Sequence, residues 1–234
     1  MTNVTTDPGN NDGESGTRES RADTVFRALL DQISSVRLKP GDALSKDEIA
    51  SELGVSRQPV TDAVNRLVSM GLVTVVPQVS TCVARISAPE VLASAFLRSA
   101  VEAQVVHELA SRPRPATIDT LRGQLAEQAR LLGREDIDGF HEADDAFHRL
   151  LAELAGLPAL WEQTAPARLH LSRVRRLGLP RAGRMAVSYA EHTNVVDEIE
   201  AGRPRKAANA ISRHIRYNEG ELRRIQKEHP QYCL

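Results

Sequence analysis

Three histidines and one aspartate in the C-terminal half of the chain have the residue types and spacing of a metal site. Asp144 and His148 are four residues apart in the stretch FHEADDAFHRLLAEL, which has the apolar periodicity of a helix. Their side chains therefore stack on one helical face. Leu151 continues that face, so the face is predicted to point inward, where a carboxylate without a partner would be costly.

The other two histidines flank a tight turn at Gly202-Arg203-Pro204. His192 is eleven residues before Arg203, and His214 is eleven residues after it. If the two helices fold back antiparallel, the imidazoles lie at the same height, each on the apolar stripe of its helix. Three imidazoles and one carboxylate suit a divalent ion, and zinc, nickel, manganese and iron(II) are all compatible with this set.

Two simpler interpretations remain open on spacing alone. A buried histidine is more often a hydrogen-bonded core residue than a ligand, and an aspartate four residues before a histidine is a common helical ion pair. The neighbours also blur the choice, because His141 lies three residues before Asp144 and Asp145 lies three residues before His148.

These side chains need a helical scaffold, and the sequence beyond residue 87 supplies one. Ser87 is a predicted N-cap with Pro89 in the first turn, and no strand pattern follows. Proline and glycine breaks divide the segment into predicted helices at about 88–111, 116–133, 136–155, 158–177, 183–201 and 204–228. Short connections between them predict an all-α antiparallel bundle of six to seven helices.

A different unit is predicted between residues 47 and 76. A short amphipathic helix ends at Gly54, and a second helix begins after the N-cap Ser56 and ends near Met70, before Gly71 and a β-branched run. The order helix, tight turn, helix, strand is that of a helix-turn-helix with a wing. The predicted buried residues of the two helices are Ile49, Ala50, Leu53, Val60, Val64, Leu67 and Val68.

Polar side chains near the start of the second helix are left on its outer face, where a recognition helix contacts base edges and phosphates. These are Arg57, Gln58, Thr61, Asp62 and Asn65. Strands at 73–76 and 82–86 form the predicted wing, whose Gln78, Ser80 and Thr81 are further candidates for DNA contact.

Composition gives four segments and a first view of the partners. Residues 1–20 are polar and predicted to be a disordered tail, 21–87 the winged helix-turn-helix domain with a first helix at 21–37, 88–228 the helical domain, and 229–234 a C-terminal tail. A formal net charge of −1 means that any basic surface for DNA is local. Two cysteines without motif spacing and no membrane-spanning run predict a cytoplasmic protein with no membrane partner.

The segment GDALSKDEIASELGVSRQPVTDAVNRLVSMGLV resembles the winged-helix domain of the GntR family of bacterial transcriptional regulators. The resemblance implies a mostly α protein. It also implies a homodimer that binds a palindromic operator in double-stranded DNA. It assigns Arg57 to a phosphate or guanine contact, and Lys46 joins the predicted DNA-contacting set. Lys46 and Ser80 replace the family's usual Glu and Gly, and Thr61-Asp62 replaces Arg-Glu, so operator sequence or affinity is expected to differ.

The helical segment resembles the FCD ligand-binding domain of the FadR-like subfamily, which commonly carries Asp-x-x-x-His on one helix and two later histidines that bind a metal. The matching positions are Asp144, His148, His192 and His214. The resemblance implies a small carboxylate effector beside the metal, with Arg98 directed toward the cavity and Asn218 lining it. The alternative for Arg98 is an ion pair with Glu102 on the helix surface. His170, Arg173 and Arg176 are expected on a solvated or dimer-facing helix.

The combined prediction is a transcriptional regulator, with repression and effector-induced release as the default, and not an enzyme. Two alternatives stay open: a metal-dependent enzyme acting on a small acid, and a regulator whose metal is purely structural. An enzyme needs a general base near the metal. Glu191 and Asp197 lie on the histidine helices but lack the inward spacing for that role.

Overall fold

Three helices and a two-stranded wing form the N-terminal domain. The computed structural model describes residues 20–76, 80–178 and 180–234. The elements of this domain are α1 (Arg21–Ser34), α2 (Lys46–Glu52), α3 (Arg57–Ser69), β1 (Val73–Val76) and β2 (Ser80–Val83). The strands are antiparallel, with Val73 opposite Val83 and Val76 opposite Ser80. The predicted tail, except Ser20, and the wing residue Gln78 lie outside the described residues.

Local chemistry explains where these helices begin and end. The hydroxyl of Ser20 accepts a hydrogen bond from the amide of Asp23, and that of Ser45 accepts one from the amide of Glu48. Ser56 is the N-cap of α3, as predicted, but its side chain makes no capping bond. Gly54 follows α2 with φ of 61°, a left-handed conformation that glycine adopts without steric cost.

Two residues predicted to be buried in this domain are half exposed. Val68 is 38% exposed and Leu53 is 39% exposed. The buried stripe of α3 instead runs through Ala63 to Leu67, and Val68 lies at its edge, one residue further around the helix. Leu53 lies beyond the last turn of α2, which ends at Glu52.

The predicted secondary structure needs two further corrections. The second wing strand begins at Ser80 and ends at Val83, so Ser80 and Thr81 are strand residues and not part of the loop. The single helix predicted at 158–177 is two helices, which meet at Thr164. Pro166 has no amide hydrogen to continue the first helix, but a proline is tolerated in the first turn of α8.

The rest of the chain is an antiparallel bundle of seven helices among the described residues. They are α4 (Ala88–Ser111), α5 (Pro115–Gly133), α6 (Ile137–Leu154), α7 (Ala159–Gln163), α8 (Ala165–Gly178), α9 (Arg184–Glu200) and α10 (Pro204–Glu228). The long helices α4 and α10 make the most extensive contact. No helix in the described ranges has both the length and the apolar character needed to cross a bilayer.

The end of the chain packs back on the junction between the two parts. A 3-10 helix (Pro230–Tyr232) follows α10. The amide of Ile86 donates to the carbonyl of Tyr232 at 2.8 Å, and the amide of Leu234 donates to the carbonyl of Ile86 at 3.1 Å. The predicted C-terminal tail thus pairs with the segment that connects β2 to α4.

Candidate metal centre and nucleic-acid interface

The structure brings together the four residues for which the sequence predicted a shared site. Each offers one ligand atom, and these atoms lie within 4.8 Å of one another. The Nε2 atom of His214 is 3.2 Å from Nε2 of His148 and 3.1 Å from Nε2 of His192. The carboxylate of Asp144 has one oxygen 3.6 Å from His192 Nε2 and the other 3.8 Å from His148 Nε2. All four side chains are buried.

Three helices position this group. Asp144 and His148 stack on the inner face of α6, while His192 comes from α9 and His214 from α10. Gly202 has φ of 63°, which lets the chain turn sharply between the last two helices. The equal spacing of the two histidines from this turn therefore places their imidazoles side by side.

A second set of polar side chains holds the other ring nitrogen of each histidine. Each Nδ1 atom lies within hydrogen-bond distance of a carboxylate or amide oxygen. The contacts are His148 Nδ1 to Glu102 Oε2 at 2.5 Å, His192 Nδ1 to Gln128 Oε1 at 2.9 Å, and His214 Nδ1 to Glu191 Oε2 at 2.9 Å. Orientation of the imidazole by such a partner is typical of histidines that ligate metals.

These contacts fix the tautomer of each ring. The amide nitrogen of Gln128 donates to the carbonyl of Ala143 at 3.2 Å, so its oxygen faces His192 and accepts from Nδ1–H. The carboxylates of Glu102 and Glu191 are likewise acceptors. Each Nδ1 therefore carries the hydrogen, and the three Nε2 lone pairs point at one another. A shared cation would relieve that repulsion.

Electrostatics keep the imidazoles neutral and Glu102 ionised. Burial, followed by nearby histidines and arginines, lowers the pKa of His192 and His214 well below 6.5. Burial and then Arg98 lower the pKa of His148. Burial opposes ionisation of Glu102, but the neighbouring Arg98 and His148 outweigh it and lower the pKa of this carboxyl to about 2. Neutral imidazole is the form that binds a metal.

Arg98 supports the site indirectly, through Glu102. It is only 1% exposed, and its Nε donates to Glu102 at 2.5 Å, while Glu102 holds His148. The predicted pair with Glu102 thus exists, but it is buried and not on the helix surface. The cavity beside the histidines is not lined by Arg98. Burial of α4 against α10 turns this arginine inward.

The cavity itself is small, and two arginines and the carboxylates of Asp144 and Glu221 line it. Its volume is about 20 Å³, and Asp144 and His214 form part of its wall. Arg175, Arg184 and the predicted Asn218 also line it. One buried nitrogen of Arg184, NH1, has no hydrogen-bond partner among the described residues. The other, NH2, is 3.1 Å from Glu191.

The neighbours that made the sequence ambiguous have other partners. The Nε2 atom of His141 lies 3.0 Å from the hydroxyl of Ser172. Asp145 accepts a hydrogen bond from Arg175 NH2 at 2.5 Å, and Arg175 NH1 also donates to Asp144. Neither His141 nor Asp145 belongs to the group of converging ligand atoms.

Of the solvated or dimer-facing helix expected for His170, Arg173 and Arg176, the solvated alternative is wrong. His170 is 8% exposed and Arg173 is 1% exposed, because this side of the helix packs against the N-terminal domain. The guanidinium of Arg176 is also largely buried and pairs with Asp138.

Sequence reasoning named Glu102 and Glu191 in other roles and missed that they and Gln128 hold the histidines. Glu102 and Gln128 could have been found, because each interrupts the apolar stripe of its helix: Val105 and Leu109 follow the first, and Leu125 and Leu131 flank the second. Arg175 and Arg184 have no such local signal, since their partners lie on other helices or beyond the next turn.

The described residues predicted to contact DNA differ in how exposed they are. Arg57, Gln58 and Asn65 are exposed on α3, and Ser80 is exposed on β2. The side chain of Arg57 is 69% exposed, with Nε 3.5 Å from Asp47. Three further candidates, Lys46, Thr61 and Thr81, are half-buried.

Hydrogen bonds within α3 already occupy two of the polar side chains. Gln58 donates to Asp62 at 2.9 Å, and the hydroxyl of Thr61 donates to the carbonyl of Arg57 at 3.1 Å. Arg57 is therefore the cationic side chain of the start of α3 that is best placed to reach a phosphate or a base edge.

Comparison with known proteins identifies both parts of the chain. Residues 21–83 match the family described as bacterial regulatory proteins, gntR family, and residues 94–217 match the FCD domain. The chain is 35% identical over 216 residues to an uncharacterized HTH-type transcriptional regulator in an unstable DNA locus of Streptomyces ambofaciens, covering 92% of this chain and 89% of that protein. It is 27% identical over 204 residues to the HTH-type transcriptional repressor RspR of Escherichia coli K12, covering 87% and 90%.

Solved structures show the same fold. E. coli McbR/YncC superposes with a TM-score of 0.74 at 18% identity, covering 88% of this chain and 99% of that one. A GntR regulator from Rhodococcus sp. RHA1 gives 0.72 at 23% identity, covering 87% and 98%. The family matches and the Streptomyces relative together show that the chain belongs to the GntR family of bacterial regulatory proteins, as a transcriptional regulator with an FCD domain and not an enzyme.

Proposed function

We propose that this regulator is a homodimeric repressor whose binding to a palindromic operator is modulated by a small carboxylate effector, held beside a divalent metal in the helical bundle. The observation that carries the proposal is the convergence of three Nε2 lone pairs and the Asp144 carboxylate at one buried point. We place the boundary between the DNA-binding and effector domains at residues 87 and 88, where Ser87 caps α4. We expect the protein to act in the bacterial cytoplasm, where its DNA target lies.

The ligand set favours a transition metal or zinc over magnesium or calcium. Imidazole nitrogen suits zinc and nickel, while a carboxylate oxygen also suits manganese. The residues fit such an ion because the Nε2 atoms are unprotonated and their Nδ1–H groups already have acceptors. Bound at this point, the ion would act as a Lewis acid for an anionic ligand on its cavity side.

Two arginines support an acid as the effector. Arg184 NH1 is buried without a partner among the described residues, and Arg175 lies on the same cavity wall. A carboxylate could satisfy this donor with a charge-assisted bond. Asn218 lines the cavity as well, while Arg98 acts indirectly through Glu102 and His148.

A purely structural metal remains the second candidate, and the size of the cavity favours it. A space of about 20 Å³ holds roughly one water molecule, so an acid would enter only after neighbouring side chains move. The two candidates differ in whether any small acid stabilises the metal-loaded protein.

The names of relatives support repression. RspR of E. coli is called a repressor, and a relative from Paenarthrobacter nicotinovorans, 26% identical over 202 residues, is called a probable D-xylose utilization operon transcriptional repressor. Operator binding through α3 is expected to involve few phosphate contacts for each chain, since the acidic residues Asp47, on α2, and Asp62, on α3, lie beside its polar side chains. The ion pair between Arg57 and Asp47 is exposed and therefore easily exchanged for a phosphate.

An uncharged face on α4 supports dimerisation with a second copy. Between Val91 and Ala103 the charged residues are Arg98 and Glu102, and both turn inward to bond each other. The outer face carries apolar residues, and Phe96 is 78% exposed. A palindromic site requires two recognition helices related by a two-fold axis, and this face could meet its own copy across that axis.

The metal site is tested by a pair of glutamines that differ in one contact. Gln124 and Gln128 both donate to the carbonyl of Ala143, but only Gln128 also holds His192. Gln128→Leu is expected to weaken zinc or nickel binding by about 10- to 100-fold, because His192 loses its orienting acceptor. Gln124→Leu should leave the affinity unchanged. Calorimetric titration measures both, and equal affinities in the two variants would contradict the assignment.

The effector is tested by thermal shift of the metal-loaded protein against a panel of small carboxylic acids. At least one acid is expected to raise the melting temperature without being consumed, and Arg184→Met should reduce that shift because it removes the unpartnered donor. An acid that is turned over would support an enzyme instead. The absence of a shift with every acid would support the structural metal.

The DNA interface is tested with two arginines of α3. Arg57→Ala should weaken binding to a fragment from upstream of the protein's own gene, and should reduce the slope of log K against log salt by about 1 if the contact is to phosphate. Arg66→Gln is the control, because Arg66 is held by Asp23 and stacks on Phe26. Fluorescence anisotropy measures both, and equal losses would remove Arg57 from the interface.

The dimer is tested by placing a charge on the α4 face. Phe96→Glu is expected to convert a dimer into monomers in analytical ultracentrifugation, since the buried charge would have no partner. Val187→Glu is the matched control, because Val187 is also an exposed apolar residue, 48% exposed on α9. A Phe96→Glu protein that sediments as a dimer would exclude this face.

A further inference from the structure

Helix α8 contacts both the N-terminal domain and the candidate metal site. Leu169 packs against the hydrophobic core of the N-terminal domain. The ring of His170 lies against Gly71, which follows the recognition helix α3. Two residues further, the Ser172 hydroxyl contacts His141 on α6. A helix of 14 residues thus connects the two functional parts directly.

Arg173 makes a second polar contact between α8 and the N-terminal domain, beside the hydrogen bond of His170 to the backbone of Met70. The NH1 atom of Arg173 donates to the carbonyl of Ala84 at 2.6 Å. Ala84 follows β2, and its amide donates to the carbonyl of Leu72, which lies between α3 and β1. The guanidinium is therefore attached to the point where the wing returns to the end of the recognition helix.

Burial of the charged Arg173 side chain between α8 and the N-terminal domain costs desolvation free energy. This side chain is 1% exposed, and its Nε and NH2 atoms have no hydrogen-bond partner among the described residues. Burial lowers the pKa of the guanidinium to about 10, so the group is still charged at neutral pH. An apolar residue of similar volume would avoid this desolvation cost. Glu90 offsets part of the charge, but filling the space does not by itself explain an arginine with two unbonded buried nitrogens.

The opposite side of α8 contacts the candidate metal site. Arg175 donates to Asp144, one of the four converging residues, and to Asp145. Residues two apart on a helix point in nearly opposite directions, since each residue turns the helix by about 100°. Arg173 and Arg175 therefore fasten two faces of the same short helix, one to the wing and one to the site.

We propose that α8 transmits the occupancy of the metal site to the DNA-binding domain, and that Arg173 is the positioning residue that carries the change. An ion at the Nε2 atoms would compete with Arg175 for Asp144 and repel its guanidinium, which changes how α8 sits on α6. Because Arg173 is bound to Ala84, the shift passes to the wing and the end of α3. The inference rests on the proposed metal site but needs no effector.

The test uses hydrogen–deuterium exchange of the full-length protein, with chelator and with saturating Zn²⁺, repeated with Ni²⁺. In the wild type we expect the ion to change exchange in α6, α9 and α10, and also, by at least about fivefold, at residues 70–76 and 80–86. Arg173→Met should keep the change in the bundle and lose the change in the N-terminal domain. Arg176→Met is the matched control on the same helix and should keep both, because Arg176 pairs with Asp138.

Arg173→Lys serves as the second variant, since it keeps a donor for the carbonyl of Ala84. It should restore part of the distant change, even if Arg173→Met lowers the melting temperature. The proposal is overturned if Arg173→Met retains the distant change, or if the wild type shows a change in the bundle alone. A bundle unaffected by either ion would refute the metal site itself, and the coupling with it.

Discussion

The orientation of three imidazoles is the constraint on which the rest of the structure depends. An acceptor at each Nδ1 atom turns each Nε2 lone pair toward a common point beside Asp144. Five helices must come together to do this, because Glu102 lies on α4, Gln128 on α5, and the four converging residues on α6, α9 and α10. The bundle can therefore be understood as a frame that holds unprotonated nitrogens in a buried place.

The same centre shows that the bundle was not optimised for stability alone. Arg98, Glu102, Asp144 and Arg184 are all buried, and a buried ion pair is often no better for stability than well-packed apolar residues. Removal of one partner would leave an uncompensated charge, so the pairs make the arrangement specific. Such a polar centre is expected where an ion and an anionic ligand are to be bound. It is also expected where their binding is to change the N-terminal domain through α8.

Regular spacing made part of the site predictable. Asp144 and His148 were found because a four-residue interval places side chains on one face, and His192 and His214 because equal distances from a turn put residues at equal height. The partners Glu102 and Gln128 needed one further step, the observation of a polar residue within an apolar stripe. Arg175 could not be predicted, since its contacts depend on how α8 is rotated against α6. The partner of Arg184 lies on its own helix but seven residues away, beyond the four-residue interval. Pro166 is a local signal for the helix break at Thr164. The apolar pattern on both sides of it nevertheless favoured one continuous helix.

The most direct measurement of the central claim is the location of a bound ion by anomalous X-ray scattering from crystals of the protein as purified. This account predicts one divalent ion for each chain, bonded to Nε2 of His148, His192 and His214 and to a carboxylate oxygen of Asp144. An ion bonded through Nδ1, or an ion at another place in the chain, would contradict it. So would imidazoles that bond to one another without an ion in protein that was supplied with zinc or nickel.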